Sequence, residues 1–127
     1  MKIDWKNLFK IRIANPDESF AKHEVVKLLI VMKILNKHKR REWIRIYTEF
    51  KLNGMTPDIY FENLKTKEVI CYEIQKEVTK EWTEEKIKQY NNYDVPFFKS
   101  IDLIIVPIKK LSNNIEKLNK ELEEYIF

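Results

Sequence analysis

Asp58, Glu73, Gln75 and Lys76 fall in two short stretches, PDIYFE and VICYEIQK, whose remaining residues are mostly apolar, β-branched or aromatic and are separated by a short turn. Such runs mark extended strands, and Asp is among the residues least suited to one. A carboxylate inside a sheet is costly unless it is paired or holds a metal. If Asp58 and Glu73 face the same side of neighbouring strands, their oxygens can converge on one hard cation. Magnesium or manganese is bound in this way, by one or two carboxylates completed by waters and phosphate oxygens. An ion held there polarises a phosphodiester and makes hydroxide available near neutral pH. The plainer alternatives are a turn-proximal Asp after Pro57 and a Glu on an exposed edge paired with a Lys or Arg.

The elements that must position these residues follow from periodicity. A helix is expected from about Asp17 to Lys37, capped by Asn15 or Asp17 with Pro16 in its first turn. From Val25 to Leu35 it is apolar on nearly every side, which predicts a buried helix. Ile11 and Ile13 alternate with Lys10 and Arg12, a pattern suited to a short strand. Trp43 to Leu52 alternates as a first confident strand, with Ile44, Ile46, Thr48 and Phe50 on one face. Asn53-Gly54 is a strong hairpin signal, leading to a second strand over Pro57–Glu62 and a third over Val69–Gln75. A helix from about Lys80 to Tyr93, with Thr79 as N-cap, leads past Pro96 to a fourth strand over Asp102–Ile108. That crossover predicts a strand parallel to a neighbour, and the run from Leu103 to Val106 predicts coverage on both faces. Ser112 would cap a last helix on which Ile115, Leu118, Leu122 and Tyr125 recur. The expected class is α/β, in the order α-β-β-β-α-β-α.

At 127 residues, 44% hydrophobic and 13% aromatic, the chain reads as one globular domain spanning 1–127. A single cysteine, Cys71, excludes an intramolecular disulfide and a Cys-based zinc site, and favours a reducing compartment. The longest apolar run carries Lys27 and Lys33 and is too short for a bilayer. Lys2, Asp4 and Lys6 interrupt any leader-like stretch. A soluble cytoplasmic protein with no membrane partner is therefore expected. The net charge of +4 permits nucleic acid as a partner without requiring it. Lys39, Arg40 and Arg41 form a candidate phosphate-contacting loop, or a solvated turn. His23 adjoins Glu24 and could be a general base or simple polar surface; Glu49 could join the acids or pair with Arg45 or a lysine. Trp82, Tyr90 and Tyr93 recur on the second helix, suited to packing on the sheet or to stacking on bases.

The αβββαβ order, with Pro57-Asp58 on the second strand and Glu73-x-Gln75-Lys76 on the third, resembles the PD-(D/E)XK nuclease superfamily over roughly Ser19 to Ile108. The resemblance implies a restriction-endonuclease-like core: a mixed four-stranded sheet flanked by helices, here with an extra C-terminal helix. It implies a metal-dependent deoxyribonuclease using Mg²⁺ or Mn²⁺, with Asp58, Glu73 and the carbonyl of Ile74 as ligands. Glu24 matches an acid that many members place on the first helix. The pattern's lysine is replaced by Gln75, which can orient water by hydrogen bonding but cannot supply charge. Lys76 follows, where alternation would turn it to the opposite face. Gln89 and Tyr93 are similar to a Q-x-x-x-Y element of RecB-type members, which helps orient DNA and the metal site. The small size implies structure-directed or weakly sequence-specific cleavage of DNA, and dimeric relatives make a homodimer one expectation. The alternative is a nuclease-like module that binds nucleic acid or a partner without cleaving, supported by Gln75.

Overall fold

The computed structural model describes residues 18–52, 54–93 and 97–127. Helix α1 (Glu18–Lys37) leads through a 3₁₀ turn at Arg41–Trp43 to strand β1 (Ile44–Thr48). Strands β2 (Ile59–Asn63) and β3 (Glu68–Gln75), helix α2 (Lys80–Asn91), strand β4 (Ser100–Pro107) and helix α3 (Ile115–Glu121) follow, with a closing 3₁₀ turn at Leu122–Tyr125. The sheet order is β1-β2-β3-β4. The first three strands pair antiparallel and β4 runs parallel to β3, from Glu68 opposite Ser100 to Gln75 opposite Pro107. The fold is thus α/β with an open mixed sheet and three helices, in the expected order. The expected caps at Asn15 and Asp17, Pro16, the strand around Ile11–Ile13, Asn53 of the Asn-Gly turn and Pro96 lie outside the described residues.

Both faces of the sheet are covered. On one, Ile59, Phe61, Tyr72, Ile74 and Val106 pack with Val26, Ile30 and Ile34 of α1 and with Leu118 and Leu122. On the other, Tyr60, Val69 and Cys71 pack with Tyr90 of α2. Neighbouring side chains along β3 therefore enter different cores, as strand alternation requires. The Tyr72 hydroxyl donates to the carbonyl of Tyr125 at 2.7 Å, tying the C-terminal turn to the sheet.

Several local expectations are corrected. Helix α1 is buried on one face only: Leu28 and Met32 are 58% and 49% exposed. Apolar character alone did not reveal which residues find a partner. Strand β1 stops at Thr48 because Glu49 adopts φ 53. That left-handed residue breaks the alternation, so Phe50 leaves the face of Ile44 and stacks on Tyr47 and Tyr60, at centroid distances of 5.0 and 4.6 Å. Beyond it Leu52 and Met55 exchange backbone hydrogen bonds of 2.7 and 2.6 Å across a tight turn in which Gly54 takes φ 89. Strand β4 is an edge and only partly buried, yet its apolar run enters both cores as expected, Ile104 and Val106 on one face and Ile101 and Leu103 on the other. Thr79 caps α2 as expected, its hydroxyl accepting from the N–H of Trp82. The N-cap of α3 is Asn114 rather than Ser112: its side chain accepts from the N–H groups of Glu116 and Lys117, while Ser112 accepts from Asn114. Among the described residues no helix is long and apolar enough to cross a membrane.

Candidate functional site

Asp58 occupies the bend immediately before β2. Pairing between β2 and β3 begins at Ile59 and Tyr72, so the N–H of Ile74 lies past the ladder. A buried N–H needs an acceptor, and Oδ2 of Asp58 supplies it at 2.7 Å. This bond holds the Asp58 carboxylate at the end of the sheet, with the backbone of residue 74 facing it. Its other oxygen, Oδ1, lies 3.1 Å from Nε2 of His23 on α1.

Glu73 lies on β3 and is 4% exposed. Helix α2 reaches it with two side chains one turn apart. The hydroxyl of Tyr90 donates to Oε1 at 2.9 Å, and Nζ of Lys86 stands 3.6 Å from the same oxygen. Lys86 also lies over the Trp82 ring, 5.8 Å from its centroid. Burial pushes the Glu73 carboxyl above its usual range and the Asp58 charge adds to the rise, while Tyr90 and Lys86 oppose it. For His23, burial works toward a lower pKa, but the hydrogen bond and charge of Asp58, with Glu24, outweigh it and the net shift is upward.

These groups open into a cleft of about 870 Å³ whose lining includes Glu24, Lys27, Glu49, Gln75 and Lys76. The Lys27 ammonium bridges Glu24 at 2.8 Å and Glu49 at 3.0 Å. Burial disfavours its charge, yet the hydrogen bonds to both carboxylates prevail and raise its pKa. Glu49 reaches this position because its φ 53 redirects the chain after β1.

Asp58, Glu73, Ile74, Gln75, Glu24 and Lys76 are thus brought together in one cleft. Lys76 joins them because β3 ends at Gln75 and strand alternation no longer governs the next residue. Gln89 and Tyr93 are not part of the lining: Gln89 is exposed, and Tyr93 follows the end of α2 and packs against the Tyr60–Cys71 core. Lys39, Arg40 and Arg41 are exposed beyond the C-terminal end of α1, at the edge where β1 starts, so they do not reach the cleft either. Fourteen helical steps separate His23 from Lys37, roughly 20 Å along the axis. The sequence reading did not anticipate Lys27, Lys86, or the contact of Tyr90 with Glu73. The pertinent signal was the four-residue step from Trp82 to Lys86 to Tyr90, which puts all three on one side of α2.

The oxygen donors at this point are hard: the carboxylates of Asp58, at the bend before β2, and of Glu73 on β3. Each carboxylate already has a partner, His23 on Asp58 and Lys86 on Glu73. Carboxylate oxygens suit a hydrated divalent ion, which would have to displace those partners. Among the described residues no three His, Cys, Asp or Glu side chains group as a metal cage. The remaining ligand positions would therefore fall to backbone oxygen, water and phosphate oxygens. Comparisons with family models, with curated proteins and with solved structures found no match to this chain.

Proposed function

We propose that the chain is a metal-dependent DNA nuclease with a restriction-endonuclease-like core, hydrolysing phosphodiester bonds. The observation that carries this reading is that Asp58, in the bend before β2 rather than on the strand as the sequence suggested, and Glu73 on β3 line one cleft that also contains Gln75 and several lysines. Asp58, Glu73 and the carbonyl of Ile74 would hold Mg²⁺ or Mn²⁺. Such an ion, when bound, lowers the pKa of its water and draws charge from the phosphate. The carboxamide of Gln75 orients the attacking water or a phosphate oxygen by hydrogen bonding. Tyr90 keeps the buried Glu73 carboxylate in place through its hydroxyl. Glu24, tied to Lys27, faces the same cleft and can hold a water at its rim. Lysines such as Lys76 attract the DNA backbone without reading its sequence.

A second reading, a nuclease-like module that binds nucleic acid or a partner without cleaving, draws support from the neutral Gln75 and from the His23 and Lys86 side chains that already occupy the two carboxylates. One experiment separates the two. Single-stranded, duplex and branched DNA are incubated with the protein under Mg²⁺ or Mn²⁺, beside the Asp58→Asn and Glu73→Gln proteins. Cleavage that disappears with EDTA and drops by on the order of 100-fold in each variant supports the nuclease. DNA that is bound but left intact, whether or not metal is present, supports the module. Equal cleavage by all three proteins identifies a contaminant and overturns the catalytic reading.

A further inference from the structure

We infer that Lys86 is the phosphate-contacting cation of this site, exchanging its contact with Glu73 for an oxygen of the scissile phosphodiester. The inference rests on the nuclease reading above and assigns a role that the β3 stretch leaves open. Attack on a phosphodiester builds negative charge on the phosphoryl oxygens, and fixed positive charge close to them lowers the barrier. Gln75 carries none.

Four cationic or potentially cationic side chains line the cleft: His23, Lys27, Lys76 and Lys86. Two are committed. Lys27 is clamped between Glu24 and Glu49, and His23 is held against Asp58 and beside Glu24. Lys76 is exposed beyond the end of β3, so no element fixes its ammonium. Lys86 differs from all three. It stands on the regular part of α2, half-buried, with Nζ over the Trp82 ring. Its separation of 3.6 Å from Oε1 of Glu73 exceeds a good hydrogen bond. The contact is close enough to place the ammonium and loose enough to release it.

Tyr90 makes that release affordable to the structure. Its hydroxyl donates to the same Oε1, so Glu73 retains a partner when Lys86 turns away. Positive charge arriving between Asp58 and Glu73 would take over the neutralising role of the ammonium and repel it. The group is then driven toward the nearest unbalanced anion, the phosphodiester in the cleft. Lys86 and a divalent ion therefore compete for Glu73 but cooperate on the phosphate.

That opposition supplies the test. Mn²⁺ affinity is measured by electron paramagnetic resonance, and cleavage of DNA is measured at saturating Mn²⁺, for the full chain and for Lys86→Gln and Lys86→Arg. Lys86→Gln should bind Mn²⁺ about fivefold tighter, the effect of removing one partly exposed competing charge. It should cleave on the order of 100-fold more slowly. Lys86→Arg should restore most of the cleavage and bind Mn²⁺ as the wild type does. Wild-type cleavage with an undiminished rate in Lys86→Gln overturns the assignment and leaves the nuclease reading intact. A fall of Mn²⁺ affinity together with cleavage shows that Lys86 merely keeps Glu73 in shape, which also overturns it. A wild-type protein that cuts no DNA under either metal removes both the nuclease reading and this inference.

Discussion

Nε2 of His23, on the second turn of α1, lies 3.1 Å from Oδ1 of Asp58 at the start of β2. The contact ties the first helix to the end of the sheet across a long stretch of chain, and it depends on pH. The folded protein raises the pKa of His23 above its ordinary 6.5, because Asp58 and Glu24 outweigh burial. A raised folded pKa stabilises the fold fully below the unfolded value and loses that contribution as pH rises through the folded value. In EDTA, His23→Gln should therefore be less stable than the wild type at pH 5–6, with the gap closing toward pH 9, as read from urea denaturation midpoints. A gap that widens with rising pH would contradict the pairing.

Glu73 and Tyr90 form a buried hydrogen bond of 2.9 Å. Tyr90→Phe keeps the ring and removes the donor, leaving the carboxylate short of a partner. The expected loss is about 1–3 kcal/mol in urea denaturation. The sign with pH follows from the Glu73 carboxyl being pushed upward by burial first and by Asp58 second. Its raised pKa contributes stability below the ordinary value of 4.5 and loses it as pH climbs through the folded value. Glu73→Gln, which cannot ionise, should gain on the wild type between pH 4 and pH 8. Parallel stability curves for the two proteins would show that burial leaves this carboxyl unperturbed.

Leu118 and Leu122 are fully buried between the C-terminal segment and the sheet. Leu122→Ala should cost about 2–5 kcal/mol, through lost transfer energy and the cavity left behind. Chemical denaturation checks this, with an unchanged slope as evidence that the transition keeps its character. A cost below about 0.5 kcal/mol, the surface range, would place the C-terminal segment off the core.

Gly54 takes φ 89, and a Cβ built there would meet nothing within 4 Å. The cost of Gly54→Ala is therefore backbone strain without collision, about 1–2 kcal/mol. The turn also sets the entry of the chain toward Asp58, but the Asp58–Ile74 bond anchors that residue independently. Thermal denaturation should register the loss while the circular dichroism spectrum stays unchanged. A stability equal to wild type would mean that the turn relaxes to negative φ.

The elements were legible because each had a local cause. The crossover between β3 and β4 forced a parallel pair, and the Thr79 hydroxyl marked the start of α2. The Asp58 and Glu73 stretches were legible as well, since acids on strands stand out against β propensity. Their partners were harder to see. Gln89 and Tyr93 share a helical spacing, yet the side of α2 that reaches Glu73 runs through Lys86 and Tyr90. Spacing along a helix gives relative positions only; the rotation about its axis is set by what packs beneath it. Glu49 likewise enters the cleft through one left-handed residue that no alternation pattern contains.

The residues by themselves determined an α/β chain with three antiparallel strands, one parallel strand, and two acids expected on neighbouring strands. Periodicity and turn chemistry suffice for that, since both act over a few residues. Only the tertiary structure decided that His23 meets Asp58, that Lys27 bridges two carboxylates, and that Lys86 and Tyr90 converge on one oxygen of Glu73. Those contacts depend on how helices α1 and α2 are rotated and seated on the sheet, which is the outcome of packing two cores at once.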